Sequence, residues 1–360
     1  MIEEIKLNTE QTIIWHNPAS IFKYCGWPSI CRDERGTLYV TASAFRIQHV
    51  DPCGKNAMWI SRDEGKTWSK PFIINDSRMD DRDTGIISLG GGHMIATWFS
   101  CCFGDPDPGS ASWMYCEPQD REMILAYTNV VKYMPEKYRK NGCYVAVSDD
   151  YGLTWSDPID VPMSAPHGAS AMKDGRAVFL GKENASGQGR VCCYISSDYG
   201  RTWEERGAVK LYKDYSWGDF HEPHVVELPN GRLLGAIRSG INGGHECCFT
   251  TYSDDEGATW SDPEFVGVYG IPPHLLVHSS GAVILSYCNR ENRTERALVS
   301  HDFGATWTED YELDNKNTFC DLGYPATAEL SDGSLFTVYY QAVADENFPC
   351  VMGCRWELKK

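Results

Sequence analysis

Three short apolar runs in this chain end on arginine: Ala44-Phe45-Arg46, Ala236-Ile237-Arg238 and Tyr287-Cys288-Asn289-Arg290. A guanidinium grips a carboxylate through two parallel hydrogen bonds, so three of them brought together would make a well for an acidic ligand. The rest of the chain sharpens that reading. Fifty acidic residues against 33 basic ones leave a net charge of -17. Such a surface repels nucleic acid and anionic membranes, and it admits an anion only where arginines gather. Glu222, in His221-Glu222-Pro223, is a second candidate, because a lone carboxylate is costly to bury as core. Metal chemistry has weaker support. The 15 cysteines include the adjacent pairs Cys101-Cys102, Cys192-Cys193 and Cys247-Cys248. Cys350 and Cys354 have no second pair of ligands nearby, so these thiols read as core packing and no metal or cofactor is expected.

The elements that must position these residues are set by a repeat. Ser61-Arg-Asp63-Glu-Gly65-Lys-Thr67-Trp68 has the form S-x-D-x-G-x-T-W, which returns at Ser148–Trp155, Ser196–Trp203, Ser253–Trp260 and Ser300–Trp307. Each box has turn chemistry: an aspartate to bond backbone N–H groups two residues on, a glycine for positive φ, then Thr-Trp resuming a strand. Most intervals suit one four-stranded blade of about 40–50 residues. The interval from Ser61 to Ser148 is too long, which predicts an insertion at about 100–143 with a helix over Asp120 to Lys140. Between boxes, pairs of apolar strands flank a glycine turn, as in Val225 to Arg238 and Leu275 to Tyr287. Six such units predict an all-β chain: one six-bladed β-propeller with four-stranded antiparallel blades, spanning residues 1–360 as a single domain. The last blade would close by pairing Cys350–Leu358 with a strand within Ile5–Trp15, which removes the sheet edges. The arginines then fall at equivalent strand ends and converge on one mouth of the channel.

The boxes, the segment from His221 to Arg238 and Gly323-Tyr324-Pro325 together resemble the exo-sialidases and sialidase-like Asp-box propellers. The resemblance covers nearly the whole chain outside the insertion. It implies hydrolysis of terminal sialic acid from a sialylated glycan or free sialoside with retention, with tyrosine as nucleophile. A neutral phenol suits an anomeric carbon that bears a carboxylate, provided a base takes its proton. The resemblance makes Tyr324 that nucleophile, Glu222 its base and Asp51 the acid for the leaving oxygen. It gives Arg238 and Arg290 to the substrate carboxylate, with Arg296 beside them and Arg293 in competition. Arg46 would orient the acid or touch the sugar, and Asp83 would meet the N-acyl or C4 region. His49, His224 and His274 would line the pocket or fill loops.

The family's first inner strand carries Arg-Ile-Pro, whereas this chain reads Tyr24-Cys-Gly26-Trp27-Pro28. The glutamate that steadies that arginine is replaced by Gln341. No cation remains there, and no anion to hold one. Either Arg82 or Arg296 replaces the arginine, or the substrate differs, with Trp27 free to stack on a sugar. Two other readings follow: a propeller glycosidase for another acidic sugar such as a uronate, or a non-catalytic glycan-binding propeller. The polar, acidic start Met-Ile-Glu-Glu-Ile-Lys-Leu does not read as a signal peptide, so a cytoplasmic protein is expected.

Overall fold

The apolar strand pairs and their glycine turns build six antiparallel sheets arranged around one channel. The computed structural model describes residues 2–101, 118–139, 141–183, 189–240 and 244–359. Blade one holds Tyr24–Arg32, Leu38–Arg46, Lys55–Ser61 and Phe72–Asn75, counted outward from the channel. Blades two to five begin with Asp80–Gly90, the short strand Ser170–Ala171, Phe220–Glu227 and Ile271–Val277. Blade six runs Gly323–Glu329, Leu335–Ala342, Pro349–Trp356, and takes its outermost strand, Gln11–Trp15, from the other end of the chain. Closure therefore follows the sequence expectation. A further strand, Glu3–Lys6, adds in parallel to the outer strand of blade five, Glu309–Asp314.

The core lies between blades rather than within one. Ile30, Val40 and Trp59 of blade one pack with Ala328, Phe336 and Val338 of blade six. The described cysteines are free and mostly buried, as the sequence suggested. The boxes sit at the turn after each third strand, but their wiring differs from the expectation. In the first, the Ser61 hydroxyl accepts the Gly65 N–H at 2.8 Å. Asp63 accepts the Thr67 N–H, four residues on, at 2.8 Å and the Thr67 hydroxyl at 2.6 Å.

The long interval is an insertion in blade two, between His93–Cys101 and Gly142–Ser148. Its helix spans Pro118–Tyr133, shorter than expected because Pro135 disfavours a helical residue before it. Residues 102–117 and 140 lie outside the described part. The helix rests on the propeller mouth, with Ile124 against Ile47 and Val131 against Met79.

Candidate active site

Five of the inner strands bulge at one level. The pairing register breaks between Gly26 and Ser29, Arg82 and Gly85, His221 and His224, Ile271 and His274, and Gly323 and Ala326. A bulge re-aims its side chain, and proline fits there because it owes the ladder no N–H. Four residues at these bulges have left-handed backbone: Trp27 (φ 54°), Asp83 (55°), Glu222 (44°) and Tyr324 (55°). That conformation costs bulky residues on the order of 1–3 kcal/mol each, and it gathers at sites where geometry matters more than stability. Tryptophan, glutamate and tyrosine each precede proline, a repeated signal that marks the site in the sequence and that motif reading passed over.

Tyr324 and Glu222 meet across the channel. The phenol donates to Glu222 Oε1 at 2.7 Å, and Arg238 donates to Glu222 Oε2 at 2.6 Å. Burial raises the phenol well above its usual pKa, and the charges of Glu222 and Asp83 push the same way. Burial would also raise Glu222, but the ion pair with Arg238 and the Tyr324 bond outweigh it and hold the carboxyl below its usual value. The resting proton therefore sits on tyrosine, with an ionised base already in place. Arg290 lies 5.9 Å from the Tyr324 ring centre.

Arg238 and Arg290 do converge, and Glu246 bridges them. Its carboxylate takes a 2.7 Å bond from Arg238 and lies 3.9 Å from Arg290. No sequence signal singled out Glu246, whose side chain is about a third exposed (37%). The other two arginines correct the expectation. Arg46 is wholly buried and paired with Asp80 at 2.5 and 2.9 Å, and it also donates to the carbonyls of Gln48 and His49. It ties down the loop after its strand and has no face for substrate. Arg296 points away from the channel into Asp310, Glu312 and Glu4 at 2.9–3.1 Å. It is an ion-pair centre of the outer strands and does not join the arginine pair. Arg293 bonds the carbonyl of Thr318.

Asp83 stands beside Tyr324 and Glu222 with one buried oxygen unbonded. Burial lifts its carboxyl to about 7, opposed by Arg82 and helped by the charge of Glu222. Asp51 is fully buried. It accepts the N–H groups of Ile47, Gln48 and Cys53, with the last at 2.6 Å. Both its oxygens thus clasp its own loop, and burial raises its pKa.

Where the family arginine is missing, the space is filled by rings. Tyr24, Trp27, Tyr324 and Tyr340 form one buried cluster. A side chain on Gly26 would begin 3.3 Å from both Tyr24 and Tyr340. The Tyr24 and Tyr340 hydroxyls donate to Asp321 at 2.6 and 2.8 Å. Arg82 stacks over Trp27 at 4.2 Å. Below this layer the channel floor is made of His167, His224 and His274, whose rings lie 4.5–6.0 Å apart. Burial lowers all three, His224 to about 3, so they stay neutral. His224 and His274 each accept a backbone N–H through Nδ1, which leaves Nε2 carrying the proton. A separate cavity of about 370 Å³ opens beneath them.

A mouth with a strained tyrosine and glutamate beside a pair of arginines, on an Asp-box propeller, defines a class. The BNR repeat-like domain model matches residues 109–337, and the BNR/Asp-box repeat model matches residues 59–70. The protein belongs to the BNR repeat-like family. Among characterised sequences it is similar to the anhydrosialidase of Macrobdella decora, at 27% identity over 61% of this chain and 32% of that protein. It is also similar to a sialidase of Clostridium perfringens, at 24% identity over 51% of this chain and 56% of that one. The chain thus spans about a third of the first relative and just over half of the second. Among solved structures, a protein of unknown function from Dyadobacter fermentans superposes with a TM-score of 0.76 at 23% identity, covering 97% of this chain and 98% of that one. A leech intramolecular trans-sialidase complexed with 2,7-anhydro-Neu5Ac gives 0.69 at 16% identity, over 98% and 70%. These likenesses carry the propeller fold.

Proposed function

We propose that this protein is a retaining glycoside hydrolase of the sialidase type, acting on a terminal acidic sugar of a glycan. The observation that carries the reading is the relay Arg238–Glu222–Tyr324, with a 2.6 Å bond from Arg238 and a 2.7 Å bond that joins the strained Glu222 and Tyr324 across two blades. Tyr324 attacks the anomeric carbon while its proton passes to Glu222. Arg238 and Arg290 hold the sugar's carboxylate, which takes over from Glu246 as their partner. Asp83 sits where it can meet a polar ring substituent, and an acid from the loop of residues 46–54 protonates the leaving oxygen. Asp51 is the residue the family pattern names for that step. The relatives named as sialidases support the substrate class. The test is release of 4-methylumbelliferone from its sialoside. Wild type should turn over, and Tyr324→Phe should lose about 10²–10⁴ of kcat, the range for a positioned acid–base and nucleophilic group. Full activity of Tyr324→Phe would refute the mechanism.

One observation favours a second reading. With Gly26 where the family places its first arginine, two guanidiniums face the ligand and an internal carboxylate already bridges them. That suits a sugar whose acid group is placed differently, such as a uronate. A panel of aryl sialosides and aryl uronides separates the two by kcat/KM.

A further inference from the structure

We propose that His49, held by Asp321, is the proton donor and acceptor at the leaving group, with Asp51 serving to shape the loop that carries it. The inference rests on the glycosidase reading above and names the third member of its machinery.

Four observations lead there. First, the loop after Arg46 has two candidates, and the structure treats them oppositely. Asp51 is fully buried with both oxygens bonded to N–H groups of its own loop. A proton handed over by Asp51 would have to leave through a closed ring of backbone. His49, by contrast, keeps about a third (31%) of its side chain exposed. Second, its two nitrogens differ. Nδ1 lies 3.0 Å from Asp321 Oδ2 and 3.0 Å from the Tyr24 hydroxyl. Asp321 can only accept, so the hydrogen-bond network puts the proton on Nδ1 and leaves Nε2 as the working atom. No described residue bonds Nε2. A carboxylate orienting the far nitrogen of an imidazole is the arrangement that makes histidine an acid–base catalyst.

Third, the ring is aimed and fixed. Its edge meets the Trp27 indole at 4.8 Å, and the same indole meets the Tyr324 ring at 6.5 Å. Imidazole and nucleophile therefore stand around one aromatic plate at the channel mouth, where a sugar ring would bridge them. Fourth, the backbone carbonyl of His49 accepts from Arg46 at 2.9 Å and from Arg82 at 3.3 Å. Arg46 and Arg82, both outside the Arg238–Arg290 pair, thus have a use: they pin the residue that carries the dyad.

As the glycosidic C–O bond breaks, Nε2–H of the imidazolium protonates the departing oxygen. Tyr324 oxygen bonds the anomeric carbon, and the tyrosine proton moves to Glu222. Water then attacks that carbon and gives its proton to Nε2. Glu222 returns its proton to the released Tyr324 oxygen, and all three groups are restored.

Asp321 and the Tyr24 phenol meet the imidazole at Nδ1, and the guanidiniums of Arg46 and Arg82 act on it through their charge. Burial lowers the imidazole below 6.5, with both arginines adding to that and Asp321 opposing it. The acid form is thus lost as pH rises through a value below 6.5, so kcat/KM should fall on that side.

The experiment compares wild type, His49→Gln, Asp321→Asn and Asp51→Asn on two substrates of the same sugar, one with an aryl and one with an alkyl aglycone. His49→Gln should lose about 10²–10³ on the alkyl glycoside, which needs protonation, and less than tenfold on the aryl one. It should also lose the limb of the pH profile below 6.5. Asp321→Asn should move that limb to lower pH. Asp51→Asn should lower both substrates' rates together, along with thermal stability. An aglycone-dependent loss in Asp51→Asn with an indifferent His49→Gln overturns the assignment and returns the role to aspartate. Inactivity of wild type on every acidic glycoside instead sinks the glycosidase reading, and His49 with it.

Discussion

Asp83 illustrates how a single side chain links the site to the stability of the protein. Its backbone is left-handed, one carboxyl oxygen is buried without a partner, and burial has lifted its pKa to about 7. The sign follows from linkage. A carboxyl whose folded pKa exceeds its unfolded value of about 3.9 favours the folded state fully at low pH, and that benefit is lost as pH rises toward 7. Asp83→Asn, which cannot ionise, should therefore stabilise the protein at pH 8 by on the order of a few kcal/mol and have little effect at pH 4. Thermal melts of both proteins across that range check this. A variant equally affected at both ends would mean that the Asp83 carboxyl is not raised above its unfolded value in the folded protein. If Asp83 meets substrate, the same variant gains stability while losing kcat/KM, the usual exchange at a strained functional position.

The boxes act between blades rather than within them. The space for a side chain on each box glycine is already taken, mainly by the blade before it: Gly65 by Phe336, Gly200 by Ile95, Gly257 by Cys193 and Gly304 by Leu234. A Cβ on Gly257 would stand 2.4 Å from Cys193 Sγ, and its φ of 84° is hostile to any side chain. Gly257→Ala should therefore destabilise the fold by about 1–3 kcal/mol while leaving kinetics at Tyr324 unchanged, measured by chemical denaturation and turnover on one sample. The same local chemistry explains what the sequence disclosed. Boxes, blade number and the Tyr324–Glu222 couple are written in turn residues and short motifs. The fate of a guanidinium is not, because it depends on which carboxylate the fold delivers. Arg46 meets Asp80 from the next blade, and Arg296 meets Glu4 from the far end of the chain. Glu246 and Asp321 were invisible for the same reason, since neither lies in a motif. The three X-Pro bulges, at Trp27, Glu222 and Tyr324, were legible as a repeat, and they point to Trp27 as directly as to Tyr324.

A ring of blades is only as closed as its last seam. Here the seam is made by the strand Gln11–Trp15, which covers the edge of Pro349–Trp356, and by Glu3–Lys6 on blade five. Blade six also carries Tyr324, while Glu222 comes from blade four, so their 2.7 Å bond spans the channel between sheets that share no strand. The relative position of nucleophile and base is therefore held by the whole circle. Deleting residues 1–15 would unpair an eight-residue edge strand and strip Ile14 and Trp15 from the seam between blades one and six. Losing Ile14 alone removes roughly 1.5–3 kcal/mol of burial, and the partly buried Trp15 adds to that. The exposed edge also becomes a template for self-association. The truncated protein should melt earlier, associate in a concentration-dependent way by light scattering, and lose kcat more than it raises KM. That pattern is expected because the arginine pair, on blades four and five, stays beside Glu222 while Tyr324 drifts from its base. A truncated protein that melts and turns over like the full chain would show instead that the inner strands alone hold the circle shut.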